Sequence, residues 1–431
     1  MKYVISTLGC KVNQYETQAM ELLLQERGHE AAAAREPADA VIVNTCAVTA
    51  ESGRKSRQMI RRLREENPGA VIGVCGCYSQ LSPEEAEQSG GQIVFGTGDH
   101  KGFVTALEKA VLAGDGSAET ELDDPFRRLA YEQLPAGAVS GRTRALLKIQ
   151  DGCVNFCTYC IIPYTRGRLR SLPIQAAEEE TARLSSEGYR ELVITGIEIA
   201  SYGFDLPGKP NLTDVICAIA RQSGEMRIRL GSLEPTVITE DFCARLEEEG
   251  KVCRHFHLSL QSGCDRTLKA MNRKYDTAQF LEKVALLRKA FPGCGITCDL
   301  IVGFPGETEE DFAETLSFIR ECAFSNMHIF PYSRRPGTPA DRMPGQCTRA
   351  VKARRAAEAQ QVCSELHQAY LRSCIGQTFP VLFETEENGF CTGHSDTYVL
   401  VRVPGTKLRN QVLRVGIIGI DGEELKGEIQ T

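Results

Sequence analysis

The chain has 431 residues, of which 42% are hydrophobic and 25% charged, with a formal net charge of −7. That length exceeds one ordinary core, so two or three domains are expected, and the charge excludes a globally basic nucleic-acid binder while leaving room for a local basic surface. No apolar run approaches the ~20 residues of a membrane span, and 18 cysteines in so long a chain fit metal ligands and buried thiols better than a disulfide framework.

The N-terminus, MKYVISTLGC, lacks the pattern of a cleavable signal peptide and reads as a first strand, which points to a cytoplasmic protein. KYVISTLGC, AVIVNTCAVT, AVIGVCGCYSQ and QIVFGTGD are strand-like runs, interleaved with the helical stretches NQYETQAMELLLQERG, ESGRKSRQMIRRLREENPG and SPEEAEQSG and closed by HKGFVTALEKAVL. Such alternation predicts an α/β unit over residues 1–113 with a doubly wound parallel sheet. Cys10, Cys46 and Cys77 each fall at or just past the C-terminal end of a strand, the edge at which open parallel sheets bind ligands. Convergence on one ligand is one reading of them; three buried small thiols is the other. Cys75 adjoins Cys77 in CGC, and because i and i+2 share a strand face, alternation does not separate the two. Cys77, nearer the loop, is preferred.

Residues 114–143 mix Gly, Pro, Ser and charge without periodicity, as a linker does. A second alternating series follows over 144–370. ALLKIQ, ELVITG, MRIRLGS, HFHLSLQ, GITCDLIVGF and SNMHIF, each flanked by an amphipathic helix, predict a partial or complete (β/α) barrel. Its active site belongs at the strand ends, where TGIEI, GSLEP, LQSG, VGFPGET and PYSRRPGT lie. From 371 to 431, short β runs broken by Gly, Asn and Asp turns predict a small all-β barrel. That last segment carries 6 Lys and Arg against 8 Asp and Glu. Positive charge is instead local, in GRKSRQMIRRLR, TRGRLR and RAVKARR.

The first barrel strand runs directly into GCVNFCTYC. Cys153, Cys157 and Cys160 stand four and then three positions apart, a spacing that lets three thiolates hold three irons of a 4Fe–4S cube and leaves the fourth iron open. Zinc is the competing reading. It needs a fourth ligand nearby, and no histidine lies between His100 and His255.

The triplet, with Tyr159 just before its last cysteine, resembles the radical S-adenosylmethionine (SAM) superfamily. GCVNFCTYCIIPYTRGRLRS, the N-terminal cysteines and the C-terminal β module together resemble the methylthiotransferases over nearly the whole chain. LKIQDGC, RLGSLEP, HFHLSLQSGCDRTLKAMNRKY and YSRRPGTPA are most similar to the bacterial branch acting on N6-threonylcarbamoyladenosine in tRNA. Val154 stands where that pattern more usually has Asn, and Cys75 is an extra thiol. The resemblance implies a radical SAM barrel and a terminal TRAM module that binds tRNA. It also implies two 4Fe–4S clusters, one on Cys153, Cys157 and Cys160 and one on Cys10, Cys46 and Cys77. SAM would then meet Gly196 and Glu198 at its amino group, Tyr159 at its adenine, and Ser232, Glu234 and Gln261 on its ribose and methionine side. The activity implied is insertion of sulfur and a methyl group at C2 of the base, with electrons and sulfur supplied from outside and no membrane involved. Two related activities share the cysteines, on isopentenyladenosine in tRNA or on a ribosomal-protein aspartate. A different class, a non-catalytic iron–sulfur or zinc RNA-binding protein, predicts no SAM cleavage after reduction.

Overall fold

A computed structural model describes residues 1–34, 36–114, 118–137 and 143–430. The N-terminal alternation folds as β1 (Lys2–Thr7), α1 (Lys11–Glu26), β2 (Glu30–Ala31), β3 (Ala40–Thr45), α2 (Ala50–Glu66), β4 (Val71–Gly76), α3 (Cys77–Leu81), α4 (Pro83–Gln88), β5 (Ile93–Phe95), α5 (His100–Ala113) and β6 (Glu119–Glu121). The sheet is parallel, in the order β2-β1-β3-β4-β5-β6. All of AVIVNT in β3 is buried, as a central strand covered by helices on both faces must be. Thr49 and Ser52 cap α2 reciprocally, and Pro83 opens α4.

Two edge strands were not foreseen. β2 and β6 are short and wholly exposed, so neither carries the apolar run by which a strand is read. β6 lies inside 114–143, the stretch expected to be a linker. Further along the same stretch, Leu134 and Ala136 are buried in the core of the following unit. Residues 115–117 and 138–142 of that stretch lie outside the described residues.

The central unit runs through β7 (Arg144–Asp151), α6 (Ile162–Arg166), β8 (Arg170–Ser171), α7 (Ile174–Ser186), β9 (Glu191–Gly196), α8 (Leu212–Gln222), β10 (Arg227–Leu230), β11 (Ser232–Leu233), α9 (Glu240–Glu249), β12 (His255–Gln261), α10 (Asp265–Ala270), α11 (Thr277–Ala290), β13 (Gly295–Val302), α12 (Glu309–Cys322), β14 (Asn326–Pro331) and α13 (Arg349–Cys374). Its strands pair as β10-β9-β7-β8 and β11-β12-β13-β14, and only β8 runs antiparallel. Gly231 separates β10 from β11, and an isolated parallel bridge from Ile228 to Val252 links the two sheets into one open, partial barrel. Along β12, Phe256, Leu258 and Leu260 pack into the helix-covered core, which leaves His255, His257, Ser259 and Gln261 on the lumen side.

β15 (Thr378–Glu387), β16 (Phe390–Ser395), β17 (Leu400–Pro404), β18 (Val412–Asp421) and β19 (Glu424–Ile429) close a barrel in the order β15-β16-β17-β19-β18. The fold class is the one expected: parallel sheet, partial barrel, closed β barrel. α13 continues past residue 370 to Cys374, and Leu371 and Cys374 are buried in the terminal barrel. No Gly or Pro interrupts the helix before Gly376.

Glu191, fully buried at the start of β9, joins the last two units. It lies 2.9 Å from Arg229, 2.6 Å from Arg227 and 3.1 Å from Arg144. Burial alone would favour the protonated acid, but Arg229 and Arg227 outweigh it and hold the carboxyl far below its ordinary range. Arg227 also donates to Pro380 O at 3.0 Å and His394 O at 2.9 Å, and Arg229 to Ser395 O at 3.0 Å. Arg144 in turn pairs with Glu384 of β15 at 2.8 Å, so all three guanidinium groups grip the terminal barrel, and replacing the anion leaves Arg227 and Arg229 without a carboxylate. Glu191→Gln is therefore expected to cost about 3–5 kcal/mol, read as a lower urea midpoint; an unchanged midpoint removes the clamp.

Candidate functional site

The N-terminal cysteines converge at one edge of the sheet. Cys10 is the residue before α1, Cys46 follows β3, and Cys77 opens α3 directly after β4. Gly9, at φ +113°, admits the close approach: a Cβ there would lie 2.9 Å from Cys46 Cβ and 3.0 Å from its sulfur. Asn13 ties the strand ends together, its amide donating to Leu8 O and Thr45 O, both at 2.9 Å. Thr45 Oγ1 donates in turn to Cys75 O at 2.6 Å. Gly76, at φ +103°, breaks the strand alternation between the two adjacent cysteines. Cys75 is buried among Tyr3, Ile42 and Phe103, whereas Cys77 packs on the opposite side with Tyr78 and Ile161.

The second trio sits on a loop held from several sides. Gly152 (φ +74°) turns the chain out of β7, and Cys153 N donates to Gly167 O at 3.0 Å. Asn272 donates to Asn155 O and Phe156 O, both at 3.1 Å, and Thr158 N to Met271 O at 3.1 Å. Arg273 donates to the Cys157 sulfur at 3.4 Å and stands 3.7 Å from Glu234. Burial pushes the Cys153 and Cys160 thiols up to about 12. Ligation therefore releases protons. Cys77 packs in one apolar cluster with Ile161, the residue after Cys160, which brings one end of each trio to the joint between units.

The donor set fits cubes better than zinc. Tetrahedral zinc with bonds of ~2.3 Å needs its sulfurs ~3.8 Å apart. Among the described residues, neither trio has all three sulfurs within 4.8 Å of one another. An iron–sulfur cube takes a wider trio and tolerates a missing fourth protein ligand.

Between the trios lies a buried ion network. Arg166, wholly buried, pairs with Glu16 of α1 and stands 3.5 Å from Asp151. Lys148 lies 3.2 Å from Glu16 and 3.1 Å from Asp151, and Arg170 lies 3.6 Å from Asp151. Burial penalises the Glu16 carboxylate, yet Arg166, Lys148 and His100 hold it well below its ordinary range. Burial likewise pulls His100 down, but Glu132 and Glu16 outweigh it and push the imidazole up to about 9. Arg166 further donates to Asn13 Oδ1 at 3.1 Å, and its charge opposes the burial that pushes the Cys77 thiol up. TRGRLR was expected to be a positive surface; its Arg166 and Arg170 are instead buried in this network. Arg355 of RAVKARR is likewise buried, 2.6 Å from Glu307. Carboxylates distant in sequence draw these cations inward.

The expected SAM-contact residues gather at the barrel's strand ends. Glu198 N donates to Gln150 Oε1 at 2.7 Å, and Asn155 reaches the Glu198 carboxylate at 3.5 Å. Burial and then Glu234 push Glu198 up to about 7. Ser232 and Ser259 share a 3.0 Å hydrogen bond, Gln261 adopts φ +66°, and Tyr159 meets Phe304 edge-on at 6.5 Å. Gly196 and Ser232 line a cavity of about 870 Å³ that also includes Cys10 and reaches Tyr398 of the terminal barrel. The sequence reading assigned no role to Arg166, Arg273, Asn272 or Glu16. Arg273 and Asn272 lie within the quoted MNRKY run, beside the residues that contact the triplet loop, while Glu16 and Arg166 stand 150 positions apart.

The radical SAM superfamily model matches residues 147–319, and the model described as "Uncharacterized protein family UPF0004" matches residues 2–96. The chain is 39% identical to the threonylcarbamoyladenosine tRNA methylthiotransferase MtaB of Bacillus subtilis, covering 96% of this chain and 92% of that protein. It is 36% identical to the protein of the same name from Thermotoga maritima, over 94% and 92% of the two chains. It is also 35% identical to the tRNA-2-methylthio-N(6)-dimethylallyladenosine synthase of Pelotomaculum thermopropionicum, over 91% and 90%. Among solved structures, the radical SAM methyltransferase TsrM of Kitasatospora setae aligns over 90% of this chain and 79% of its own, with a TM-score of 0.57 and 14% identity, a likeness of fold.

Arg166 is the cation shared by both halves of the site. Arg166→Met leaves Glu16 and Asp151 under-compensated in a buried setting, for an expected loss of about 3–5 kcal/mol. Chemical denaturation reads that loss, and iron analysis is expected to show weaker loading at Cys10, Cys46 and Cys77. Wild-type stability in this variant would show that Lys148 and Arg170 suffice.

Proposed function

The chain belongs to the radical SAM methylthiotransferase family, and from that membership we propose that it is a tRNA threonylcarbamoyladenosine methylthiotransferase carrying two 4Fe–4S clusters. One is held by Cys153, Cys157 and Cys160, the other by Cys10, Cys46 and Cys77. What supports this reading is the convergence of Cys10, Cys46 and Cys77 at one sheet edge, with Cys77 packed in the same cluster as Ile161, the residue after Cys160; each trio is one ligand short of closing a cube. When bound, these clusters and SAM supply reductive carbon–sulfur cleavage and sulfur delivery at C2 of the base.

The chain's own residues bind and orient. Arg273, donating to Cys157 and pairing with Glu234, offsets negative charge at the triplet loop. Arg166 does the same beside Cys77. Gly196, Glu198, Ser232, Glu234, Gln261 and Tyr159 form the proposed SAM contacts, Glu198 accepting from the amino group. Substrate RNA meets the terminal TRAM-like barrel beside a second cleft lined by Lys11, Arg144 and Arg409. Electrons and sulfur come from outside donors. No helix among the described residues is long and apolar enough to cross a membrane; a cytoplasmic site of action is part of the proposal, since that is where the proposed tRNA substrate is found.

Nucleoside mass spectrometry of tRNA from a deletion strain tests the substrate. Loss of methylthiolated threonylcarbamoyladenosine alone supports it, and loss of the isopentenyl form instead overturns it. Anaerobically reconstituted wild type is expected to hold about eight irons, falling to about four in Cys10→Ala; a single cube in the wild type defeats the two-cluster reading.

Glu198 gives a pH dependence. A carboxyl at about 7 is largely protonated at pH 6 and ionised at pH 8, so SAM affinity is expected to rise across that interval. Glu198→Gln should flatten the profile in equilibrium binding. An unchanged profile removes Glu198 from the contacts.

A further inference from the structure

The lumen of a (β/α) barrel is ordinarily packed with branched apolar side chains. Here the lumen faces of three adjacent strands carry His255 and His257 on β12, Thr297 and Asp299 on β13, and His328 on β14, and they line the cavity of about 870 Å³. Strand register brings them side by side, His257 opposite Thr297 and Asp299 opposite His328. Thr297 Oγ1 bonds both His255 Nε2, at 3.0 Å, and His257 Nδ1, at 2.9 Å. His257 Nε2 lies 3.3 Å from Asp299.

This lining is polar and incompletely satisfied. His255 is 5% exposed, yet its Nδ1 has no partner among the described residues. Burial and then Arg229 hold that imidazole well below its ordinary range, so the ring is neutral. At the wall formed by α1, Lys11 is exposed to the cavity and has no ion-pair partner among the described residues, while the nearby Arg144 and Arg229 are taken by Glu191. Lys11 immediately follows Cys10, so it stands beside the position to which the base must come.

Resting on the function proposed above, we propose that this histidine-lined lumen is the socket that reads the N6-substituent of the target adenosine. On the adenine ring only N1 separates C2 from the carbon that bears N6. Cys10 lines the same cavity as these histidines, so a base presenting C2 at Cys10 sends its N6 arm into the lumen. A threonylcarbamoyl arm brings a carboxylate, a hydroxyl and ureido N–H and C=O groups. Lys11 takes the carboxylate; His257, Asp299 and His328 take the ureido and hydroxyl groups. An isopentenyl arm would leave the same buried donors and acceptors unpaired, and sites built for hydrogen bonding reject such analogues strongly.

The test uses the full-length, anaerobically reconstituted enzyme and two anticodon stem–loop RNAs, one bearing N6-threonylcarbamoyladenosine and one N6-isopentenyladenosine. The readout is the ratio of kcat/KM for the two, which a misfolded fraction or a lost phosphate contact does not change. His257→Leu, His328→Leu and Lys11→Met are each expected to lower that ratio by about 10-fold or more, and to weaken binding of free N6-threonylcarbamoyladenosine in equilibrium dialysis. Unchanged ratios in all three variants overturn the socket while leaving the proposed function intact. A shift in SAM affinity without loss of nucleoside binding assigns the lumen to SAM and overturns it as well. A wild type active only on the isopentenyl RNA overturns the proposed function itself.

Discussion

Everything at the site depends on the buried contact between Glu16 and Arg166. One side chain belongs to the parallel sheet unit and the other to the partial barrel, and both are fully buried. Ion pairs of this kind often add little net stability over an apolar alternative. Their use is orientation, because a guanidinium fork accepts few geometries. Arg166 reaches Glu16, Asn13 and Cys77 from the end of the helix that follows the cysteine triplet. The same planar group thereby sets the register of one cysteine trio against the other. Three cations and the protonated His100 face Glu16, Asp151 and Glu132, so one positive charge is left over beside the thiols of the proposed second cluster, where it favours their ionised form.

The barrel shows a division of labour across each strand. On β12 the alternation HFHLSLQ gives Phe256, Leu258 and Leu260 to the core, where their burial stabilises the fold, and frees His255, His257, Ser259 and Gln261 for chemistry. The open side of the partial barrel lets α1 form a wall, so the N-terminal unit contributes directly to the cavity. The Glu191 clamp fixes the closed β barrel at the start of the same strands. Three units of different architecture thus surround one space, and no single unit encloses it.

Much of this was legible in the chain. The strand and helix alternation, the place of each cysteine at a strand end and the change to short β runs near residue 371 all follow from local periodicity, and local periodicity is what secondary structure obeys. Alternation alone could not separate Cys75 from Cys77; they pack on opposite sides because the positive φ of Gly76 redirects the backbone between them. The short exposed strands at the sheet edges carried no apolar pattern. The arginines of TRGRLR looked like surface charge because their partners, Glu16 and Asp151, are recognisable only once the chain has folded. The histidines of the lumen stood in plain view, but which face of β12 points inward depends on the helices that pack behind it.

Tyr398 adopts φ +69° and lies between the rings of His255 and His394, each 4.8 Å away, with Arg229 above it at 4.7 Å. It belongs to the terminal barrel yet forms the floor of the lumen. On the proposed function, the module that grips the nucleic acid and the chamber that receives the base share this residue and are not separate parts. Grafting that barrel from a cousin with another target would import a foreign floor, so divergence in what is gripped and divergence in what is modified must travel together.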